Sequence, residues 1–265
     1  MKRILLGLGL VLAMSMPATA QTNDQTATQT GNGNEATVTQ LQPTNSNDND
    51  SLIEQGTSLA PSDNNKATVY QGGASWDLTP QDAKNDSKIW QKQDGNEAIV
   101  KQTGTLGVTN TSEIDTDGND SYASVDQQGR GTGPNFSRID QVGDDNRATV
   151  TQLDVYNDNN SDIDQNGSNN TANVYQGEAA NFAGGPGANK YNHSEVTQTG
   201  DWSRAEIDQE GNENASVNTS LVTQNGTGVG VGQENLVSVH QYGSTTNFSS
   251  ANQNGNSNTA TVNQH

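Results

Sequence analysis

The sequence predicts an all-β chain, a β-solenoid of nine strand-turn-strand repeats, and three observations carry that prediction. First, residues 135–152 hold one seven-residue pattern twice, as Asn135-x-Ser137-x-Ile139-x-Gln141 and Asn146-x-Ala148-x-Val150-x-Gln152. Alternate side chains of a strand share a face, so each copy turns Asn, a small residue, a β-branched residue and Gln to one side. Second, the pattern recurs in nine units between residues 23 and 264. A strand-turn-strand unit cannot bury its apolar face alone, whereas stacked units can. Third, the chain is only 28% hydrophobic and 5% aromatic, and no aromatic falls in an inner slot, which excludes an ordinary globular core. Rings and charges such as Trp90, Tyr70, Tyr175, Phe136, Lys88 and Arg138 occupy the x positions, which should face outward. Low hydrophobicity with a net charge of -19 would otherwise indicate disorder. Disorder does not need Val or Ile at fixed spacing.

Taken in order, residues 1–20 read as a secretory signal peptide. Lys2 and Arg3 precede an apolar run over 4–16, and Ala18-Thr19-Ala20 predicts cleavage after Ala20. The run is short for a membrane anchor and no second one follows, so an exported, secreted product is expected. Cleavage removes two of the 12 basic residues and none of the 31 acidic ones, which leaves no basis for nucleic-acid binding. The chain has no cysteine, excluding disulfide staples and thiolate zinc sites.

The nine units fill residues 21–265. The first, 23–40, has Asn23 and Gln29 in its first arm and Asn34 and Gln40 in its second; Ala27 and Val38 take the apolar slots. The second, 49–71, repeats this with Asn49, Gln55, Asn65 and Gln71 around Ile53 and Val69. The third, 85–102, has Asn85, Gln91, Asn96 and Gln102 around Ile89 and Val100. The fourth, 110–127, keeps Asn110 and Gln127 with Ile114 and Val125, but Thr116 replaces a Gln and Ser121 an Asn. The fifth, 135–152, adds Asn135, Gln141, Asn146 and Gln152 around Ile139 and Val150. The sixth, 159–176, has Asn159, Gln165, Asn170 and Gln176 with Ile163 and Val174. The seventh, 192–209, has Asn192, Gln198 and Gln209 with Val196 and Ile207, and Ser203 for the second Asn. The eighth, 218–241, has Asn218, Gln224, Asn235 and Gln241 with Val222 and Val239. The ninth, 247–264, has Asn247, Gln253, Asn258 and Gln264 with Ala251 and Val262.

Most arms are joined by Gln-x-Gly-x-x, in which Gly31, Gly143, Gly167, Gly200 or Gly255 can take a positive φ. Four longer inserts, 56–64, 72–84, 177–191 and 225–234, should bulge from the stack. Stacking sets Asn on Asn and Gln on Gln, so every inner amide is expected to join a side-chain hydrogen-bond ladder parallel to the backbone ladder. The first and last units keep their amide slots, so both ends should present open strand edges rather than capping repeats.

No catalytic, cofactor or metal site is expected. His193 and His240 lie at outward positions and His265 follows the last unit; all three read as surface residues. Asp117-Gly118-Asn119-Asp120 and Asp144-Asp145 look like loose calcium loops but lack EF-hand spacing. Sequons such as Asn110-Thr111-Ser112 follow from the repeat register. Outward Asp and Glu serve solubility or, by like-charge repulsion up a face, slow self-association.

The spacing Gln-x-Gly-x-x-Asn-x-Ala-x-Val-x-Gln from Gln253 to Gln264 resembles that of the curlin-repeat family, the subunits of curli-type functional amyloid. The resemblance covers all nine units. It implies a cross-β, amyloid-forming subunit without enzyme activity or cofactor, secreted to extracellular, cell-surface fibres of a biofilm matrix. It also implies an outer-membrane export channel and a nucleator or partner curlin subunit as partners. Asn85, Asn135 and Asn159 stand where the family's major subunit commonly has Ser, which is similar to the nucleator; the regular last unit is similar to the major subunit. The family's export segment is expected ahead of the repeats, where only Gln21 and Thr22 stand. The alternatives are a monomeric β-solenoid adhesin displaying its outer faces, or the minor nucleator of the same fibre system.

Overall fold

The computed structural model describes residues 23–41, 48–57, 62–73, 84–105, 108–130, 133–154, 157–178, 190–211, 217–226, 234–243 and 246–264. The expected signal peptide and most of the inserts 72–84, 177–191 and 225–234 lie outside them. The described chain is all-β: eighteen strands in two nine-stranded parallel sheets.

The first sheet contains β1 (Asn23–Gln29), β3 (Asp48–Gln55), β5 (Lys84–Gln91), β7 (Thr109–Asp117), β9 (Asn135–Val142), β11 (Asn157–Asn166), β13 (Lys190–Thr199), β15 (Val217–Asn225) and β17 (Asn247–Asn254), in that spatial order. The second contains β2 (Glu35–Leu41), β4 (Lys66–Gly73), β6 (Glu97–Thr105), β8 (Tyr122–Arg130), β10 (Arg147–Asp154), β12 (Thr171–Glu178), β14 (Ser203–Gly211), β16 (Asn235–Gly243) and β18 (Thr259–Gln264). The chain changes sheet at every turn, and each strand pairs with the strand two along. One strand from each sheet makes a rung, with neighbouring rungs about 4.8 Å apart.

Register follows the repeat. Ile53 pairs with Ile89, Ile89 with Ile114, Ile114 with Ile139 and Ile139 with Ile163. In the second sheet Val69, Val100, Val125, Val150 and Val174 align likewise. The side-chain period of two is visible as strict alternation of buried and half-buried residues along β7. The core is the seam between the sheets, where the Ile/Val columns meet a column of alanines, Ala67 to Ala205, closed by Val237. The small slot of the first sheet holds Ser51, Ser87, Ser112, Ser137, Ser161, Ser194, Ser220 and Ser249, all buried, and the hydroxyls of Ser87, Ser112 and Ser137 lie 3.3–3.4 Å from second-sheet Gln amides. Val38 and Val262, expected in the core, are only partly buried, because each lies in a strand with a neighbour on one side alone among the described residues.

Strands begin and end differently from the arms. In the second sheet most start one residue after the repeat Asn, and several run past the closing Gln, as β6 does to Thr105. The insert 56–64 also returns to the stack: Ser62 is buried and its N–H donates to Thr30 O at 3.0 Å.

Candidate functional site

The columns of buried amides are the distinctive feature of the molecule, because each buried amide donor or acceptor left unused costs about 1–3 kcal/mol. In the second sheet the Gln ladder passes through all nine rungs. Gln40 Nε2 donates to Gln71 Oε1 at 2.9 Å, and the chain continues through Gln102, Gln127, Gln152, Gln176, Gln209 and Gln241 to Gln264 at 2.7–2.9 Å. The second amide hydrogen crosses to the first sheet: Gln102 Nε2 donates to Asp86 O at 2.9 Å and Gln152 Nε2 to Phe136 O at 2.8 Å. Each Gln therefore ties rung to rung and sheet to sheet.

The first-sheet Gln ladder comes in two pieces. Gln29, Gln55 and Gln91 form one, and Gln141, Gln165, Gln198, Gln224 and Gln253 the other. Thr116 separates them; its hydroxyl turns to Trp90 O at 3.3 Å instead. These Gln residues also bridge the sheets, as Gln141 Nε2 does to Tyr122 O at 3.1 Å.

The Asn column at the other edge of the first sheet runs with opposite polarity. Asn85 Nδ2 donates back to Asn49 Oδ1 at 2.8 Å, and Asn110, Asn135, Asn159, Asn192, Asn218 and Asn247 each donate to the Asn before at 2.8–3.0 Å. Asn23 aligns with Asn49, but Asn49 Nδ2 has no partner.

The expected side-chain ladder of second-arm Asn residues does not form. These residues bind backbone instead. Asn65 N–H donates to Asn34 Oδ1, Asn96 N–H to Asn65 Oδ1, Asn170 N–H to Asn146 Oδ1 and Asn258 N–H to Asn235 Oδ1, at 2.7–3.0 Å. Their amides hold turn carbonyls of the next rung: Asn96 to Gly118 O, Asn146 to Gly167 O and Asn170 to Gly200 O, at 2.6–2.7 Å. The cause is position. Except before Asn235, the preceding residue has a left-handed backbone, so the Asn side chain lies against the turn. That slot holds Gly33, Asn64, Gly95, Asp120, Asp145, Asn169, Trp202 and Ser257.

A further column was not anticipated from the sequence. Asp63 N–H donates to Asp94 Oδ1, Asn119 N–H to Asp144 Oδ1 and Ser168 N–H to Asp201 Oδ1, at 2.7–2.8 Å. The run of Asp, Asn and Ser two residues before the second-arm Asn was the available signal. It also gives Asn119 and Asp144, in the loose calcium-like stretches, a role in turn-to-turn hydrogen bonding.

Outside, charges pair mainly between adjacent rungs: Lys66 with Glu97, Lys88 with Glu113, Lys92 with Asp115 and Lys101 with Asp126, at 2.9–3.2 Å. Arg138 joins Asp140 at 2.7 Å and Asp162 at 3.3 Å. Exposed pairs of this kind add little to stability, because solvent screens them and ordering two long side chains opposes them. Like charges do align elsewhere, as Asp24, Asp50 and Asp86. Burial, opposed by Arg138 and reinforced by Asp115 and Asp164, raises the Asp140 carboxyl above its ordinary range. His193 stacks on Tyr191, and His240 lies 3.6 Å from Asp208. His265 lies outside the described residues. Among the described residues no three His, Cys, Asp or Glu side chains converge on a metal-sized site.

No family model matches the chain, and no curated protein matches it.

Proposed function

We propose that this chain is a secreted structural subunit: a nine-rung β-solenoid that polymerises end to end into extracellular, curli-like amyloid fibres of a biofilm matrix, supporting adhesion and aggregation. One observation carries the reading. Like side chains stack on like in an unbroken parallel register, and β1, β2, β17 and β18 each pair on one side only among the described residues. Such edges offer backbone and amide ladders to another copy of the same chain. The curlin-like spacing adds the extracellular fibre, an outer-membrane export channel and a nucleator or partner subunit to the proposal.

The test dilutes the chain lacking residues 1–20 from denaturant, with and without seeds, and follows thioflavin fluorescence and electron micrographs. Seedable fibres are expected. Gln253→Ala with Gln264→Ala should slow growth more than Thr261→Ala, and equal rates would sink ladder-driven elongation. A persistently monomeric β-rich protein would favour the surface-binding module, and activity only at low ratio to another subunit would favour the nucleator.

A further inference from the structure

The first rung departs from the others at two neighbouring inner positions. β1 carries Gln25 where every other first-sheet strand carries Ser, and Ala27 where seven of the other eight carry Ile or Val. The exchange puts the long side chain in the small slot. Gln25 Nε2 reaches across the seam and donates to Gln40 Oε1 at 2.6 Å. In later rungs that acceptor is used by the Gln of the preceding rung, as Gln71 Oε1 is by Gln40. Gln25 thus stands in for the amide of a preceding rung.

The two end rungs are chemically complementary. Both Gln ladders donate toward higher-numbered rungs, so acceptors lead at the first rung and donors at the last. Gln253 and Gln264 each place one amide hydrogen on a carbonyl inside the stack, Leu236 O at 2.9 Å and Phe248 O at 2.8 Å. A side-chain amide has two hydrogens, so each keeps one for a further rung. Continuing the observed register by one step sets Gln253 on Gln29, Ala251 on Ala27, Val262 on Val38 and Gln264 on Gln40.

Resting on the polymer reading above, we propose that the last rung of one copy docks on the first rung of the next, and that Gln25 is a resident cap on this joint. Gln25 holds Gln40 Oε1 until the Gln264 amide of the incoming copy replaces it. Each addition then exchanges an internal hydrogen bond for an intermolecular one, which restrains growth without blocking it.

The experiment compares seeded elongation of wild type, Gln25→Ser and Gln25→Met, each on its own length-matched seeds. Ser restores the residue of the other eight rungs, so folding is retained; Met keeps the length and lacks the donor. Both variants are expected to elongate faster, on the order of fivefold, the factor set by one ordinary net hydrogen bond. A rate equal to or below wild type in either variant overturns the cap while leaving the polymer reading intact. Failure of all three proteins to add to seeds overturns that reading and the cap with it.

Discussion

Gln141 Oε1 is buried without a hydrogen-bond partner, and the cause lies one rung away at Thr116. In neighbouring rungs that acceptor takes an amide hydrogen from the Gln below, as Gln165 Oε1 does from Gln141 at 2.9 Å. Thr116 is too short to supply one, and its hydroxyl is committed to a backbone carbonyl. A buried acceptor left open costs about 1–3 kcal/mol.

Thr116→Gln should therefore close the ladder from Gln91 to Gln165 and raise stability by about 1–2 kcal/mol. Urea denaturation of wild type and variant reads this directly. An unchanged or lower midpoint would show that the gap is relieved in another way.

The continuous second-sheet ladder makes the opposite prediction. Gln152→Ala removes the acceptor of Gln127, the donor of Gln176 and the bond to Phe136 O together. A loss of about 2–4 kcal/mol is expected, whereas Thr149→Ala, half-exposed on the same strand, should stay within about 0.5 kcal/mol. Comparable losses would assign the stability to backbone pairing rather than to the amides.

Much of this architecture is legible in the sequence because a period of two maps directly onto faces. Ile139 above Ile114 and Gln127 below Gln152 follow from aligning the repeats. What the alignment cannot give is which atoms an amide uses. Asn135 and Asn146 hold the same place in their arms, yet Asn135 donates to another side chain while Asn146 holds a turn carbonyl. The difference is set by the left-handed Asp145 just before Asn146. The role of Gln25 is hidden from the alignment for a related reason: it breaks the pattern, and only a cross-sheet distance shows what the exception does.

Acid should stabilise this stack. Burial chiefly raises the carboxyls of Asp140, Asp158, Asp208 and Glu210, with Arg138 opposing at Asp140 and His240 opposing at Asp208. A carboxyl raised in the folded state contributes stability fully below its unfolded value, and loses it as pH rises through the folded value. All four groups act in the same direction. The urea midpoint is expected to rise between pH 7 and roughly 4.5, just above the ordinary carboxylate range, and Asp140→Asn should reduce that rise. A midpoint that falls over this interval would mean that lost ion pairs outweigh relieved burial.

Trp202 has φ 56°, in the left-handed slot that Gly, Asn, Asp or Ser fills in the other described turns. For an L-residue this backbone costs about 1–2 kcal/mol. Its N–H donates to Ser168 O and its carbonyl accepts from Asn235 N–H, both at 3.1 Å, so the turn is held in place despite the strain. Trp202→Gly should relieve it and raise stability by about 1 kcal/mol, less the packing of a half-buried ring. Gly143→Ala tests the same physics in reverse. Gly143 has φ 102°, and a Cβ there would lie 2.3 Å from Gly167 O in the next rung. A loss above about 2 kcal/mol is expected, since steric overlap adds to backbone strain. If both substitutions moved the urea midpoint in the same direction, backbone handedness would not be what these turns select for.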